Sequence, residues 1–420
     1  MSGHQSASGS RAFLAAIRTR KVLQEVAGLV RGPQRVLPLL GKAGADKLRM
    51  KFGSRDIYSY TETKQDTGEA LRMLIRWIKR AQRHDGGIAA YYSLLTGYSE
   101  SYPEVTGYII PTLYDFGHVT DDREAWGMAE RATAWLLSLQ MPYGAFPAGL
   151  YRGGSQPSVF NTGQILQGLV RAYTESNSSD VLRGAIAAGE WLANAQQADG
   201  TWSGPNAYQG VPHTYYTMVS WALIGLSKIS NSSFAIVAEK NLSWVLKQVK
   251  PSGWIDHINL TGHPTYLHFI AYVIQGLLEC GILSNREDLI RAASKPAWVL
   301  LRKFEMNRRL LGSYEEDFRG GLHFSCLTGN AQMSCIWLRL FERTNDPRYL
   351  NAAIKMNELL KQKLPVRGGS GILGGVSGSY PIWGAYQPFR YISWGAKFFA
   401  DALMLEQRLS GSFETSRCAS

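Results

Sequence analysis

The chain has 420 residues, 45% of them apolar, and a formal net charge of +12. Length alone suggests two or three domains. The apolar fraction is that of a globular protein, and no run approaches the roughly 18 consecutive apolar residues of a membrane-spanning helix. The charge is uneven: residues 1–55 carry 11 Lys and Arg against only Glu25 and Asp46, and the nearly balanced remainder excludes a nucleic-acid-binding body.

The chain opens on this basic leader, residues 1–60, which is expected to be partly helical. Within it, Phe13–Val30 (FLAAIRTRKVLQEVAGLV) reads as a basic amphipathic helix. It is either docked on the body or in peripheral contact with an anionic membrane or a partner. Arg18, Arg20 and Lys21 interrupt its apolar part and no cleavage site follows, which argues against a signal peptide.

From residue 61 to 410 one plan repeats: a helix, a Gly/Pro/aromatic loop, then a second helix. First helices are expected to open near Asp66, Asp122, Asp180, Phe234, Arg286 and Pro347, several of them on N-capping residues. Second helices are expected near Glu104, Val159, His213, Pro264, Thr328 and Pro388. The intervening loops share a form: Gln82-Arg-His-Asp-Gly-Gly, Gln140-Met-Pro-Tyr-Gly-Ala-Phe, Gln196-Gln-Ala-Asp-Gly-Thr-Trp and Gln248-Val-Lys-Pro-Ser-Gly-Trp, decaying to Gly312-Ser-Tyr and Gly378-Ser-Tyr. The second helices (QILQGLVRAY, YYTMVSWALIGL, FIAYVIQGLL, MSCIWLRLF) are apolar almost all round, as buried helices are. The first helices are amphipathic. A helical pair cannot bury both faces alone, whereas a ring of six buries them and leaves no exposed end. The repeat therefore predicts an all-α fold, an (α/α)6 toroid with the second helices inside, in place of several domains; an open superhelix is the alternative. Residues 411–420 read as a tail.

Four scattered cysteines (Cys280, Cys326, Cys335, Cys418) suit a reducing compartment, so a cytoplasmic location is expected, with membrane association through the leader as an option.

In such a ring, polar residues just before each inner helix converge on the hub. The first loop offers Tyr98, Glu100, Tyr102 and Glu104. Glu104, at an inner-helix start, suits a general acid or base, and suits equally a carboxylate at a helix N-terminus. The second offers Tyr151, Arg152 for a uronate carboxylate, and Asn161 as ligand or N-cap. The third offers His213, Tyr215 and Tyr216, and the fourth His257, His263, Tyr266 and His268. The histidine spacings match no metal pattern, and neither metal nor cofactor is expected. The fifth offers Glu315, Glu316, Asp317, Arg319 and His323 ahead of Asn330 and Gln332, either facing Glu104 across the ring or forming a solvated turn. The sixth offers Tyr380, Tyr386, Arg390 and Trp394.

The Q-x-x-D-G-x-W loops after Trp-bearing helices resemble those of terpene-cyclase and prenyltransferase toroids, and the (α/α)6 barrels of glycoside hydrolases, polysaccharide lyases and glucuronyl C5-epimerases. YSESYPEVTGYIIPTL, CLTGNAQMSCIWLRL and SGSYPIWGAY resemble proteins of bacterial exopolysaccharide gene clusters. The isoprenoid chemistries lack their D-x-D-D acid and zinc ligands here. The resemblance thus implies a carbohydrate-active enzyme acting on a polysaccharide or oligosaccharide. Hydrolysis needs two facing carboxylates, Glu104 with one of Glu315, Glu316 or Asp317. A uronate-directed lyase or C5-epimerase would use His213, Tyr266, Tyr215 and Arg152. Tyr102, Asn161, Tyr216, His268, Asn330, Tyr386, Arg390 and Trp394 are the expected sugar contacts. A non-catalytic glycan-binding scaffold is the remaining reading.

Overall fold

The computed structural model describes residues 65–151, 153, 156–230, 233–259 and 264–418. The leader, Arg152 and His263 lie outside them. Among the described residues twelve α-helices run in order: α1 Thr67–Ala81, α2 Pro103–Thr120, α3 Arg123–Leu139, α4 Val159–Ser176, α5 Ser179–Ala195, α6 Thr217–Ser230, α7 Phe234–Leu246, α8 Leu267–Ser284, α9 Glu287–Asn307, α10 Leu327–Thr344, α11 Pro347–Lys361 and α12 Ser393–Cys418. The last helix runs through most of the segment expected as a tail.

Amphipathic spacing sorts the helices into two layers. In α1 the buried positions Ala70, Leu71, Leu74, Ile75 and Ile78 form one stripe, and the Asp66 carboxylate caps the helix by accepting from Glu69 N at 2.9 Å. By contrast, α8 is buried on nearly every face. It has the length and apolarity of a membrane span, yet 78% of it is buried inside the ring, and packing from all sides accounts for its composition. The even-numbered helices pack in cyclic order, α2 on α4, α4 on α6, α6 on α8, α8 on α10, α10 on α12 and α12 back on α2, while the odd-numbered helices lie outside. This is the (α/α)6 toroid. Glycines set its tightness: a Cβ on Gly107 would lie 2.5 Å from Ile165 Cα, and one on Gly168 would lie 2.2 Å from Gly107 O.

The hairpin unit differs from the one expected. The closely packed antiparallel pairs run from an inner helix to the following outer helix: α2–α3, α4–α5, α6–α7, α8–α9 and α10–α11, with α1 packing on α12. Four of these turns hold only two residues, opening on Asp121, Asn177, Asn285 or Asn345 in the left-handed conformation that Asn and Asp tolerate. The ring closes by pairing its first and last helices. Thr112 Oγ1 donates to Asp401 Oδ1 at 2.7 Å, and Glu406 of α12 accepts from Thr67 Oγ1 at 3.2 Å and Asn357 Nδ2 at 2.6 Å.

The longer outer-to-inner loops gather at one end. Their repeated glutamine is a clasp: Gln140 Nε2 donates to Gly144 O in its own loop and to Gly184 O on the next outer helix, at 2.9 and 2.8 Å. Gln82 and Gln196 repeat this, bonding Gly86 O with Met128 O, and Gly200 O with Val237 O. At Gly144, φ is +94° and a Cβ would meet Ala187 O at 2.1 Å, so only glycine fits the reversal. Short antiparallel ladders, absent from the all-α expectation, tie loops together. β1 (Tyr91–Ser93) pairs with β2 (Gly97–Tyr98) and with β7 (Arg390–Ile392), joining the first loop to the last. β3 (Thr265–Tyr266) pairs with β4 (Ser313–Tyr314), and β5 (Ser325–Cys326) with β6 (Ser379–Tyr380).

Candidate functional site

At the loop end the hub has an aromatic floor with two polar groups set into it. The first is Glu104. Pro103 opens α2, a position where proline's missing N–H costs no hydrogen bond, and this places Glu104 in the first turn. Only 8% of Glu104 is exposed. Its Oε2 accepts from the Tyr102 hydroxyl at 2.5 Å. Burial pushes the carboxyl up to about 7, opposed by the Tyr102 hydrogen bond, which favours the charged form. Near neutral pH this carboxyl is poised between acid and base.

The second is His268, in the first turn of α8 and 4% exposed. Its Nδ1 lies 2.6 Å from Gln332 Oε1 on α10. With Gln332 presenting its oxygen, Nδ1 carries the proton and Nε2 keeps its lone pair. Burial holds the imidazole down at about 4, with the Gln332 bond opposing, so His268 is neutral across the physiological range.

Tyrosines link the two. The His268 and Tyr272 ring centroids are 4.3 Å apart, and Tyr386 lies 5.6 Å from His268. Tyr102, Tyr108, Tyr215, Tyr272 and Tyr386 all lie within electrostatic range of Glu104. Asn161 lies beside Tyr102 and donates to Pro147 O at 3.1 Å. Trp394 Nε1 donates to the Tyr386 hydroxyl at 2.9 Å, fixing that ring. Phe160, Phe269 and Tyr266 border the floor and remain partly accessible; the Tyr266 ring lies tilted against Tyr386, with centroids 5.3 Å apart, and its hydroxyl donates to Ala385 O. Tyr216 lies beneath Phe160 and accepts from Tyr208 N at 3.0 Å, so it anchors the third loop.

Several expected residues are placed elsewhere. Glu316 and Asp317 do not meet Glu104. The short turn carrying them buries Phe318 against Trp254 and directs the acids to the fourth loop, where Glu316 pairs with Lys250 and Asp317 accepts from Ser252. The two-carboxylate arrangement is therefore not formed. His213 is also spent on structure: Nε2–H donates to Tyr208 O at 2.9 Å, and the ring stacks on Tyr215 at 4.8 Å. Burial lowers its basicity, with the Tyr208 hydrogen bond opposing. Asn330 points to the outer layer, donating to Ser325 Oγ at 3.0 Å beside Leu359 and Leu360 of α11. Arg390 lies at the rim, its guanidinium 4.3 Å from the Tyr91 ring centroid. Among the described residues, no group of three or more His, Cys, Asp or Glu is gathered as a metal site.

The sequence reading missed Tyr108, Tyr272 and Phe398, which form much of the floor, and named Gln332 without giving it a role. It also missed a cavity of about 850 Å³ at the opposite end, lined by all six inner helices. A signal for that end existed: Gln275 with Glu279, Arg171 with Glu175, and Lys397 with Asp401 are polar pairs four residues apart in otherwise apolar helices.

No protein-family model matches the sequence, and no curated protein matches it either. Among solved structures, the chain is similar to an unsaturated glucuronyl hydrolase specific for heparin (TM-score 0.67, 14% identity, 82% of this chain and 98% of that one). It is similar also to the unsaturated glucuronyl hydrolase of Bacillus sp. GL1 (TM-score 0.62, 15% identity, 80% and 94%). A third similar structure is the cellobiose 2-epimerase of Bacillus thermoamylovorans (TM-score 0.64, 12% identity, 80% and 98%). The chain shares their toroidal fold over nearly their whole length.

Proposed function

We propose that the chain is a carbohydrate-active enzyme that cleaves a glycosidic bond at the loop end of the hub, with Glu104 as the proton donor. The observation that carries this reading is the Tyr102–Glu104 pair, a buried carboxyl poised near pH 7 at the centre of an aromatic floor. Flat tyrosine and phenylalanine faces pack on the C–H faces of sugar rings, and a protonated Glu104 meets the need of a departing glycosidic oxygen. As that oxygen takes the proton, Tyr102 stabilises the carboxylate that forms. Glu104 then recovers a proton from the water whose hydroxyl adds to the sugar carbon. The same toroid in structures named as glucuronyl hydrolases supports an oligosaccharide substrate by analogy of fold.

A second reading, sugar epimerisation or β-elimination, is favoured by one observation. His268 presents a neutral imidazole with a free lone pair, and Glu104 has no carboxylate partner among the described residues. There His268 Nε2 would take the proton from carbon and Glu104 would return one, or protonate the leaving oxygen.

The deciding experiment incubates the protein with unsaturated-uronyl disaccharides, acidic bacterial exopolysaccharides and reducing disaccharides in D2O. Release of reducing ends without gain of unsaturated-uronate absorbance supports hydrolysis. Gain of that absorbance, or deuterium incorporation at carbon, supports the second reading. Full turnover by Glu104→Gln would overturn both.

A further inference from the structure

The hub has a second end, where the inner helices finish. There the inner wall carries charge in matched pairs. Arg171 of α4 meets Asp115 of α2 at 2.7 Å, Arg339 of α10 meets Glu279 of α8 at 2.8 and 2.9 Å, and Lys397 meets Asp401 within α12 at 2.5 Å. These groups surround the cavity of about 850 Å³. That volume lies within the roughly 300–1,000 Å³ typical of small-molecule sites. The loop-end floor, by contrast, is filled with aromatic rings.

A ring needing only mechanical stability would close this end with apolar side chains. Holding six charged groups around a void costs desolvation that pairing only partly offsets. Between the pairs lie apolar surfaces, among them Trp221, which is half-buried and lines the cavity. Gln275 lines it as well; it is 8% exposed, and its Oε1 has no hydrogen-bond partner.

We propose that this cavity is a binding site for a neutral oligosaccharide, separate from the loop-end site. Each sugar hydroxyl both donates and accepts, which matches a wall alternating carboxylates with guanidinium and ammonium groups. Trp221 offers a face for a pyranose ring, and Gln275 Oε1 an acceptor for one hydroxyl. Charge decides the class. The three pairs give no net pull on a uronate, and the fourth cation on the wall, Arg408, is held by Glu342 at 2.8 Å; an alkyl chain would strip water from these charges without replacing its hydrogen bonds. The floor separates the two ends: Tyr108 and Phe398 lie between them, with the Lys397 ammonium 4.4 Å above the Phe398 ring on the cavity side. The inference does not depend on the chemistry assigned to Glu104.

The test is calorimetric titration of the full chain with cellotriose, maltotriose and xylotriose, beside trigalacturonate and a short alkyl maltoside. At least one neutral trisaccharide is expected to bind. Trp221→Ala and Gln275→Leu should each weaken it by about tenfold or more, the loss of a stacking face or hydrogen bond. Glu104→Gln should leave that binding intact, and thermal melts verify that the variants fold. The proposal is overturned if no neutral trisaccharide binds or if only trigalacturonate binds. It is also overturned if the maltoside binds through its alkyl chain alone, or if binding disappears in Glu104→Gln while surviving in both cavity variants.

Discussion

Tyr102 and Glu104 are two residues apart, and the phenol of the first donates to the carboxyl of the second at 2.5 Å across the start of α2. Tyr102 occupies the N-cap position without capping through its side chain, so its hydroxyl is available to the carboxyl. The pair balances two effects: burial disfavours the carboxylate, and the phenol favours it. On the reading proposed above, Glu104→Gln should lower kcat by about 10²–10⁴, the usual contribution of a positioned general acid. Circular dichroism and melting temperature should stay near those of the parent.

Tyr102→Phe tests the balance itself. Removing a donor to the carboxylate raises the carboxyl pKa further above about 7. The limb of the pH–kcat/KM profile that reports loss of the Glu104 proton should therefore move to higher pH. A lowered rate with an unmoved profile would show that Tyr102 only shapes the floor.

The two buried groups also link stability to pH, with opposite signs. Glu104 rises from 4.5 to about 7 on folding, so its contribution is present at low pH and is lost as pH climbs through that window. His268 falls from 6.5 to about 4, so its contribution is lost as pH drops from 6.5 toward 4. Each is worth roughly 3 kcal/mol at about 1.4 kcal/mol per unit, and between pH 4.5 and 6.5 they largely offset. Denaturant midpoints of Glu104→Gln should consequently rise with pH across that range, and those of His268→Phe should fall, relative to the parent.

The glutamine clasp predicts a defect of scaffold alone. Gln140→Ala removes two hydrogen bonds and leaves Gly184 O to find another partner. A loss of about 1–3 kcal/mol is expected in chemical denaturation. Gly144→Ala should be worse, because the new Cβ faces backbone at 2.1 Å on a φ of +94°. KM of the surviving folded fraction should be unchanged in both.

Glu316→Gln and Asp317→Asn separate the arrangement expected from sequence from the one observed. Both acids sit at the rim on Lys250 and Ser252. Turnover should match the parent in each variant; a large loss would mean that these acids reach the substrate.

The toroid was legible because its cause is local and repeated. The Gln…Gly loops, the capped amphipathic helices and the all-round apolar helices recur on one period, and each declares its layer by its own composition. Glu104 and His268 were legible for the same reason, since an inner-helix start is a position along the chain. Other features are products of packing between distant segments. Nothing local told that Glu316 would turn toward Lys250, 66 residues earlier, and away from Glu104. The loop ladders, such as Tyr91 against Ile392, likewise arise only when ring closure brings first and last loops together. The sequence by itself therefore determined the repeat, the layering and the loops that lead into the hub. Tertiary structure alone decided which of those side chains meet, how far burial shifts their protons, and that the hub has two ends, because each depends on distances across the ring and on the water that closure excludes.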